Sequence, residues 1–362
     1  MSAAPRPAPA VVEAPVARVM ICDDSVVIRG AIARMLEAEP SIRVVARAAN
    51  GQAAIDQLRQ TQVDVLVLDI EMPVMDGMTA LPLLLRADPG LKVVMASTLT
   101  TRGADIAMRA LRLGAADYVP KPSAVHGDDT FRRELVAKVI GLARLRHRGK
   151  APSRETTVVP LRLRPAPIIT PRLLAVGSST GGPQALFTLV QGLGKTLNVP
   201  VVLTQHMPAT FTPILAEHIS KLGALPCAEA RDGEMLRAGR IYLAPGDRHL
   251  LVNATAGGLQ ASITTDPPEN FCRPSVDPML RSAAAACDGK VLVAMLTGMG
   301  QDGLAGTRRV VDAGGGVVAQ DEATSVVWGM PGAVATAGLC HAVLPLPRIA
   351  PKLLELLRMA RA

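Results

Sequence analysis

The chain has 362 residues, 49% of them hydrophobic and only 2% aromatic, and a formal net charge of +8. That length accommodates two domains of ordinary size, each with a core built mainly from aliphatic side chains. The five cysteines (Cys22, Cys227, Cys272, Cys287, Cys340) are odd in number, scattered and without a C-x-x-C pair. This argues against a disulfide framework or a structural zinc and fits a reducing cytosol.

Residues 1–17 are rich in Ala and Pro and lack the apolar core of a signal peptide, so they are expected to form a disordered leader. No apolar run approaches the roughly 18 residues of a membrane span. A cytoplasmic protein with no membrane insertion is expected. From 18 to 143 strand and helix patterns alternate five times. The strand runs are "RVMIC", "IRVVARA", "VDVLVLD", "KVVMAS" and "ADYVP", with helical stretches such as "VVIRGAIARMLEAE" and "ADIAMRALRLG" between them and "TFRRELVAKVIGLARL" closing the unit. Continuous β-rich runs in this alternation predict a five-stranded parallel sheet with helices on both faces and any site at the carboxyl strand ends.

Polar groups collect at those ends. Asp23 and Asp24 follow the first strand, Asp69 ends the third, Ser97 the fourth, and Lys121 follows the fifth. Three converging carboxylates repel one another unless a divalent cation joins them, and hard oxygen donors suit Mg²⁺. An ammonium and a hydroxyl nearby would complete a phosphoryl pocket with Asp69 as nucleophile. The motifs "CDDS", "LDIEMPVMDG", "MAST" and "VPKP" resemble those of the flavodoxin-like response-regulator receiver domain. The resemblance implies that Asp69 accepts phosphate from a sensor histidine kinase, that Asp23, Asp24 and Asp69 hold Mg²⁺, and that Lys121 contacts the phosphoryl group. It also makes Ser97 the hydroxyl that follows the phosphate and Tyr118 the aromatic switch position.

Between Arg144 and Arg172 stand eight Lys/Arg and one acid, Glu155, which is nearly the whole charge surplus, together with five prolines. Residues 144–171 are therefore expected to be a basic, Pro-rich linker. Neither flank carries a helix-turn-helix or an aromatic stacking pattern, so no nucleic-acid partner is expected.

From 172 to 362 a second α/β pattern begins with "LLAVGSS", a helix near "PQALFTLVQGL" and "VPVVLTQH". "RIYLAPGDRHLLV" with "GLQASITT" suggests an antiparallel hairpin, and helix "VDPMLRSAAAAC", strand "KVLVAMLTG", helix "LAGTRRVVDAG", strand "GVVAQ", an Ala-rich helix and a C-terminal helix follow. The loop "GSSTGG" fits neither the dinucleotide fingerprint nor a P-loop. It does satisfy G-x-S-x-G centred on Ser179, where small neighbours permit a sharp turn that exposes the hydroxyl. A serine needs a base, and His206 ends the strand expected beside this loop; His249 is the second choice, while His218 on a helix is assigned a surface role. For the carboxylate that orients the base, Asp302 just past a strand is preferred over Asp277 and Asp247, which a helix cap and a turn explain.

"VGSSTGG", "LTQHMP", "YLAPGDRH", "RPSVD" and "LTGMGQDG" resemble, in order, the catalytic domain of the chemotaxis protein-glutamate methylesterases, the CheB family. The resemblance implies a doubly wound α/β esterase domain in which Ser179, His206 and Asp302 are nucleophile, base and orienting carboxylate. Backbone groups of Thr180 and Gly181, with the Met299 region, would bind the oxyanion. It implies methylated chemoreceptors as substrates, deamidation of certain receptor glutamines, and a receiver that obstructs the site until phosphorylated. The ester chemistry itself is expected to use no cofactor. An esterase for another substrate, or a phosphorylation-dependent binding protein with an idle triad, remain alternatives. Phe271 and Cys272 have no assigned role.

Overall fold

The computed structural model describes residues 16–121, 128–148, 161–165, 167, 169–195, 197–222 and 225–359. Leader residues 1–15 and linker residues 149–160, 166 and 168 lie outside the described residues.

In the first domain β1 (Ala17–Cys22), β2 (Ile42–Ala48), β3 (Val65–Asp69), β4 (Lys92–Ser97) and β5 (Asp117–Pro120) alternate with α1 (Val26–Glu37), α2 (Gly51–Leu58), α3 (Gly77–Ala87), α4 (Thr101–Arg112) and α5 (Asp128–Arg148). The strands form one parallel sheet in the order β2-β1-β3-β4-β5. Every residue of β3 is buried, as its apolar run requires. Ser25, Asn50, Asp76 and Thr100 cap the first four helices by accepting a backbone N–H, each substitution by Ala typically costing about 1 kcal/mol.

Two segment boundaries differ from expectation, the end of the leader and the start of the linker. Ala17 belongs to β1, not to the leader, because its N–H donates to Ser41 O at 2.8 Å. Residues 144–148 continue α5 rather than opening a linker. The cause is a buried acid: Asp64, fully enclosed, draws in Arg146 at 3.2 Å and His147 at 3.3 Å, and Arg146 also reaches Asp88 at 2.7 Å. Arg146 neutralises buried charge instead of solvating a tether. Further on, Arg164 N–H donates to Cys340 O at 2.8 Å and Leu161 packs on the second core, so this end of the segment lies against the second domain.

The second domain runs β6 (Leu173–Ser178), α6 (Gly182–Leu193), β7 (Val201–Gln205), α7 (Thr212–Lys221), β8 (Cys227–Glu229), β9 (Ile241–Leu243), β10 (His249–Thr255), β11 (Gly258–Thr264), α8 (Val276–Ala286), β12 (Val291–Met295), α9 (Leu304–Asp312), β13 (Gly316–Gln320), α10 (Met330–Thr336), β14 (Ala342–Leu344) and α11 (Leu346–Met359). Its main sheet is parallel, in the order β14-β13-β12-β6-β7-β9-β8. The hairpin is narrower than the sequence suggests: Ile241–Leu243 joins the main sheet, and only β10 and β11 pair antiparallel. Strand order reverses at β6, which leaves a crevice at the carboxyl ends of β6, β7 and β12.

The two domains share a continuous apolar cluster that includes Met108, Leu111 and Tyr118 of the first and Leu186, Phe211 and Leu215 of the second. The Tyr118 and Phe211 rings stack across the boundary, centroids 4.8 Å apart. Contrary to the surface role expected of it, His218 is 2% exposed, because α4 packs over α7 and brings Asp105 Oδ1 to 3.2 Å from His218 Nε2. Among the described residues no helix is long and apolar enough to cross a membrane.

Candidate active site

At the carboxyl edge of the first sheet, Asp23, Asp24 and Asp69 offer oxygens that all lie within 4.8 Å of one another. This set of hard donors fits a divalent cation such as Mg²⁺. Lys121 Nζ spans the two buried carboxylates, 2.7 Å from Asp69 Oδ2 and 2.8 Å from Asp23 Oδ2. Burial would discharge that ammonium, but the two carboxylates hold its pKa above the ordinary value. For Asp69 burial pushes the carboxyl up, Lys121 pulls it down and Asp23 adds a further upward push, leaving it raised. Ser97 is fully buried beside them, and its carbonyl accepts the Lys121 N–H at 2.6 Å. Tyr118 lies elsewhere, its ring enclosed in the domain interface.

The crevice of the second domain gathers the other group. Ser178 and Gln205 are register partners on adjacent strands, so Ser179 and His206 are each the first residue beyond a strand. Gln205 ties the two ends together: its Oε1 accepts from Ser178 Oγ at 2.7 Å, and its Nε2 donates to Ser179 O at 2.9 Å and His206 O at 3.1 Å. Any side chain at position 182 would collide with it, since a Cβ there would stand 1.9 Å from Gln205 Oε1. Gly298, in the loop after β12, likewise lets that loop approach Ser179, where an added Cβ would meet Ser179 Cβ at 2.9 Å. Met299 beside it is 40% exposed.

Asp302 is 2% exposed and held from several sides. Its Oδ2 accepts from His206 Nε2 at 2.7 Å and from Val276 N–H at 2.6 Å; its Oδ1 accepts from Ser275 Oγ at 2.7 Å and Asn270 Nδ2 at 2.9 Å. Burial alone would raise its pKa, but these donors, His206 foremost, bring it down to about 2. Burial likewise lowers His206, yet its hydrogen bonds to Asp302 and then Cys272 overcome that and push it up to about 10. Among the described residues no hydrogen bond joins Ser179 Oγ to His206.

The rival residues have other partners. His249 is occupied at both nitrogens, accepting Ser275 N–H at Nδ1 and meeting Pro267 O at Nε2, each at 3.2 Å. Asp277 accepts Gly306 N–H at 2.6 Å at the start of α9. Asp247 is exposed and pairs with Arg273 at 2.7 Å. Two residues of the site, Gln205 and Asn270, are not marked by the sequence patterns: Gln205 does flank the candidate His206, but nothing local points to Asn270.

The first domain enters this site. Gly181, with a left-handed φ of 73°, donates its N–H to Asp117 Oδ2 of β5 at 3.0 Å. Asp117 is buried with Lys138, 3.4 Å away, which also pairs with Glu134 at 2.7 Å. Burial drives the Asp117 carboxyl upward, against the pull of Lys138. Gln184 of α6 also donates to Leu111 O and Ala115 O, at 2.5 and 2.6 Å. Thr180 is buried and its carbonyl accepts from Thr297 Oγ1 at 2.9 Å.

An acidic strand-end cluster in one α/β domain, and a serine, histidine and aspartate at strand ends of a second α/β domain docked against it through β5 and α4, define the class: a receiver domain docked on an α/β domain of hydrolase type. Residues 174–353 match the CheB methylesterase family and residues 19–127 the response regulator receiver domain family. Over 94% of this chain and 96% of the other, it is 52% identical to "Protein-glutamate methylesterase/protein-glutamine glutaminase 1" of Paramagnetospirillum magneticum. Identity is 54% with the protein-glutamate methylesterase/protein-glutamine glutaminase of Azospirillum brasilense, over 92% of this chain and 91% of that one. The catalytic domain of Thermotoga maritima CheB methylesterase, 40% identical, superposes with a TM-score of 0.51 over 52% of this chain and all of that domain. The chain belongs to the receiver-linked CheB methylesterase family.

Proposed function

We propose that this chain is a phosphorylation-activated serine esterase that hydrolyses glutamate γ-methyl esters on chemoreceptors and deamidates receptor glutamines, for sensory adaptation in the cytoplasm. The convergence of Ser179, His206 and Asp302 on one crevice carries this reading. Ser179 Oγ attacks the ester carbonyl, giving its proton to His206, which passes it to the departing methanol. Water then cleaves the acyl-enzyme with His206 again as base, and Asp302 fixes the ring and stabilises the imidazolium. In deamidation, ammonia leaves in place of methanol. The Gly181 N–H at the start of α6, and backbone groups of Thr180 and Met299, are the donors we assign to the oxyanion.

The docked receiver supports an inhibited resting state, since Asp117 holds the Gly181 N–H that an oxyanion needs. Asp117, Tyr118 and Lys121 lie within five residues on and after β5. A phosphoryl group on Asp69, taken from a sensor histidine kinase, would draw Lys121 and Ser97 toward itself. That couples the acidic cluster to the strand carrying Asp117 and Tyr118, a population shift between closed and open arrangements. Asp23, Asp24 and Asp69 would hold Mg²⁺, which supplies charge neutralisation for the phosphoryl transfer.

Methanol release from methylated receptor membranes tests the reading. Wild type is expected to release methanol faster with a small phosphodonor and Mg²⁺, and Asp69→Ala is expected to lose that stimulation while keeping the basal rate. Absence of release by wild type would refute the substrate class. A further expectation concerns the closed state: Asp117→Ala removes the acceptor of the Gly181 N–H, a charge-assisted hydrogen bond of about 1.5 kcal/mol, so basal release without phosphodonor rises about tenfold. An unchanged basal rate would show that Asp117 does not restrain the site.

A further inference from the structure

Cys272 lies in the turn before α8, and its sulfur stands 3.5 Å from His206 Nδ1. The opposite ring nitrogen, Nε2, is 2.7 Å from Asp302 Oδ2. An imidazole has two nitrogens, and when charged it donates from both. Here both have partners, so no ring nitrogen is left for Ser179.

Of the two contacts, the one to Asp302 is fixed, because that carboxylate is also gripped by Val276 N–H, Ser275 Oγ and Asn270 Nδ2. Nδ1 is then the position at which a serine proton can arrive, and there the thiol stands. The turn is built to put it there. Glu269 and Cys272 exchange two backbone hydrogen bonds, at 3.1 and 2.9 Å, and Arg281 holds the Glu269 carboxylate at 2.5 and 2.7 Å. From inside the same turn Asn270 reaches Asp302 and Asp277, both at 2.9 Å. One short segment thus carries groups bonded to both the histidine and its carboxylate. The other four cysteines are buried, whereas Cys272 is half-buried at the crevice.

We infer that Cys272 is a positioning residue for His206: its sulfur occupies Nδ1 in the resting enzyme, and Ser179 must displace it before the imidazole can take the serine proton. This inference rests on the triad reading above. Cys272 is also one of the groups that hold the ring in its charged form. Its removal therefore favours the neutral imidazole that a general base requires.

The test is the pH dependence of kcat/KM for the full chain, with methylated receptor membranes, phosphodonor and Mg²⁺. Cys272→Ala is expected to move the acid limb about one unit lower, giving about tenfold more activity at pH values below both limbs. Cys272→Ser keeps an oxygen that can accept from Nδ1–H, and its limb is expected to return toward that of wild type. A packing role alone would lower activity or thermal stability without moving the limb. Coincident limbs for wild type and Cys272→Ala, at any rate of turnover, overturn the inference.

Ser179→Ala is assayed in parallel to separate the two readings. If it is inert while the limbs coincide, only the role of Cys272 falls; if it is as active as wild type, the triad itself falls. A second measurement avoids dependence on folding of the variants: the His206 titration followed by NMR in wild type, before and after the Cys272 thiol is capped with methyl methanethiosulfonate. Capping is expected to lower the midpoint, and an unmoved midpoint overturns the inference.

Discussion

Replacing Ser179 with alanine is expected to cut methanol release from methylated receptor by roughly 10⁴- to 10⁶-fold, with KM little changed. That is the usual scale for removing the nucleophile of a serine triad. The expectation follows from position: Ser179 is the first residue past β6, its carbonyl fixed by Gln205 and its N–H donated to Thr297 O at 3.0 Å. Those backbone bonds survive the substitution, and the hydroxyl contributes no hydrogen bond to the fold among the described residues. The loss is therefore expected in kcat, with the thermal midpoint unchanged. A rate within tenfold of wild type would remove Ser179 from the chemistry.

The second large effect is expected at Asp302. In Asp302→Asn the amide can donate to His206 Nε2, which places the ring proton on Nδ1 and leaves no lone pair for the serine proton. A loss of about 10⁴ in kcat is the scale for this wrong tautomer. The substitution also has a signature in stability. Because pairing raises His206 from 6.5 to about 10, the folded state gains stability that is fully present below 6.5 and lost as pH rises through about 10. Asp302, lowered from 3.8 to about 2, adds stability present above 3.8 and lost as pH falls through about 2. Melting curves of wild type are expected to fall across both windows, and those of Asp302→Asn to lose most of this dependence. Equal pH dependence in the two proteins would mean that the pair is not coupled to folding.

Much of the architecture was legible because parallel strands buried on both faces are unbroken apolar runs, and the polar residue just past each run marks the functional edge. Asp69, Ser179 and His206 lie at such strand ends, as their runs indicate. The short strands β8 and β14 left no such signal. Contacts that depend on the docking of the domains were also hidden: His218 looked like an ordinary helix residue because Asp105 is 113 positions away. Asp117 was one residue of a short strand, with nothing local to indicate that it faces Gly181. The link from Cys272 to His206 depends on the turn at 269–272, which has the left-handed central residues and closing hydrogen bond of a type I′ hairpin, but with Phe271 where the sequence signature would be glycine. Arg146 was counted as a linker charge because its partner, Asp64, lies far away in sequence and is wholly buried.

The central claim, a serine nucleophile restrained by a docked receiver, is tested most directly by labelling with a fluorophosphonate probe. The full chain would be treated with the probe with and without phosphodonor and Mg²⁺, and the modified peptide identified by mass spectrometry. Labelling confined to Ser179, and faster with phosphodonor in wild type but not in Asp69→Ala, is the predicted result. Labelling at another residue would contradict the nucleophile, and equal rates in both conditions would contradict the restraint.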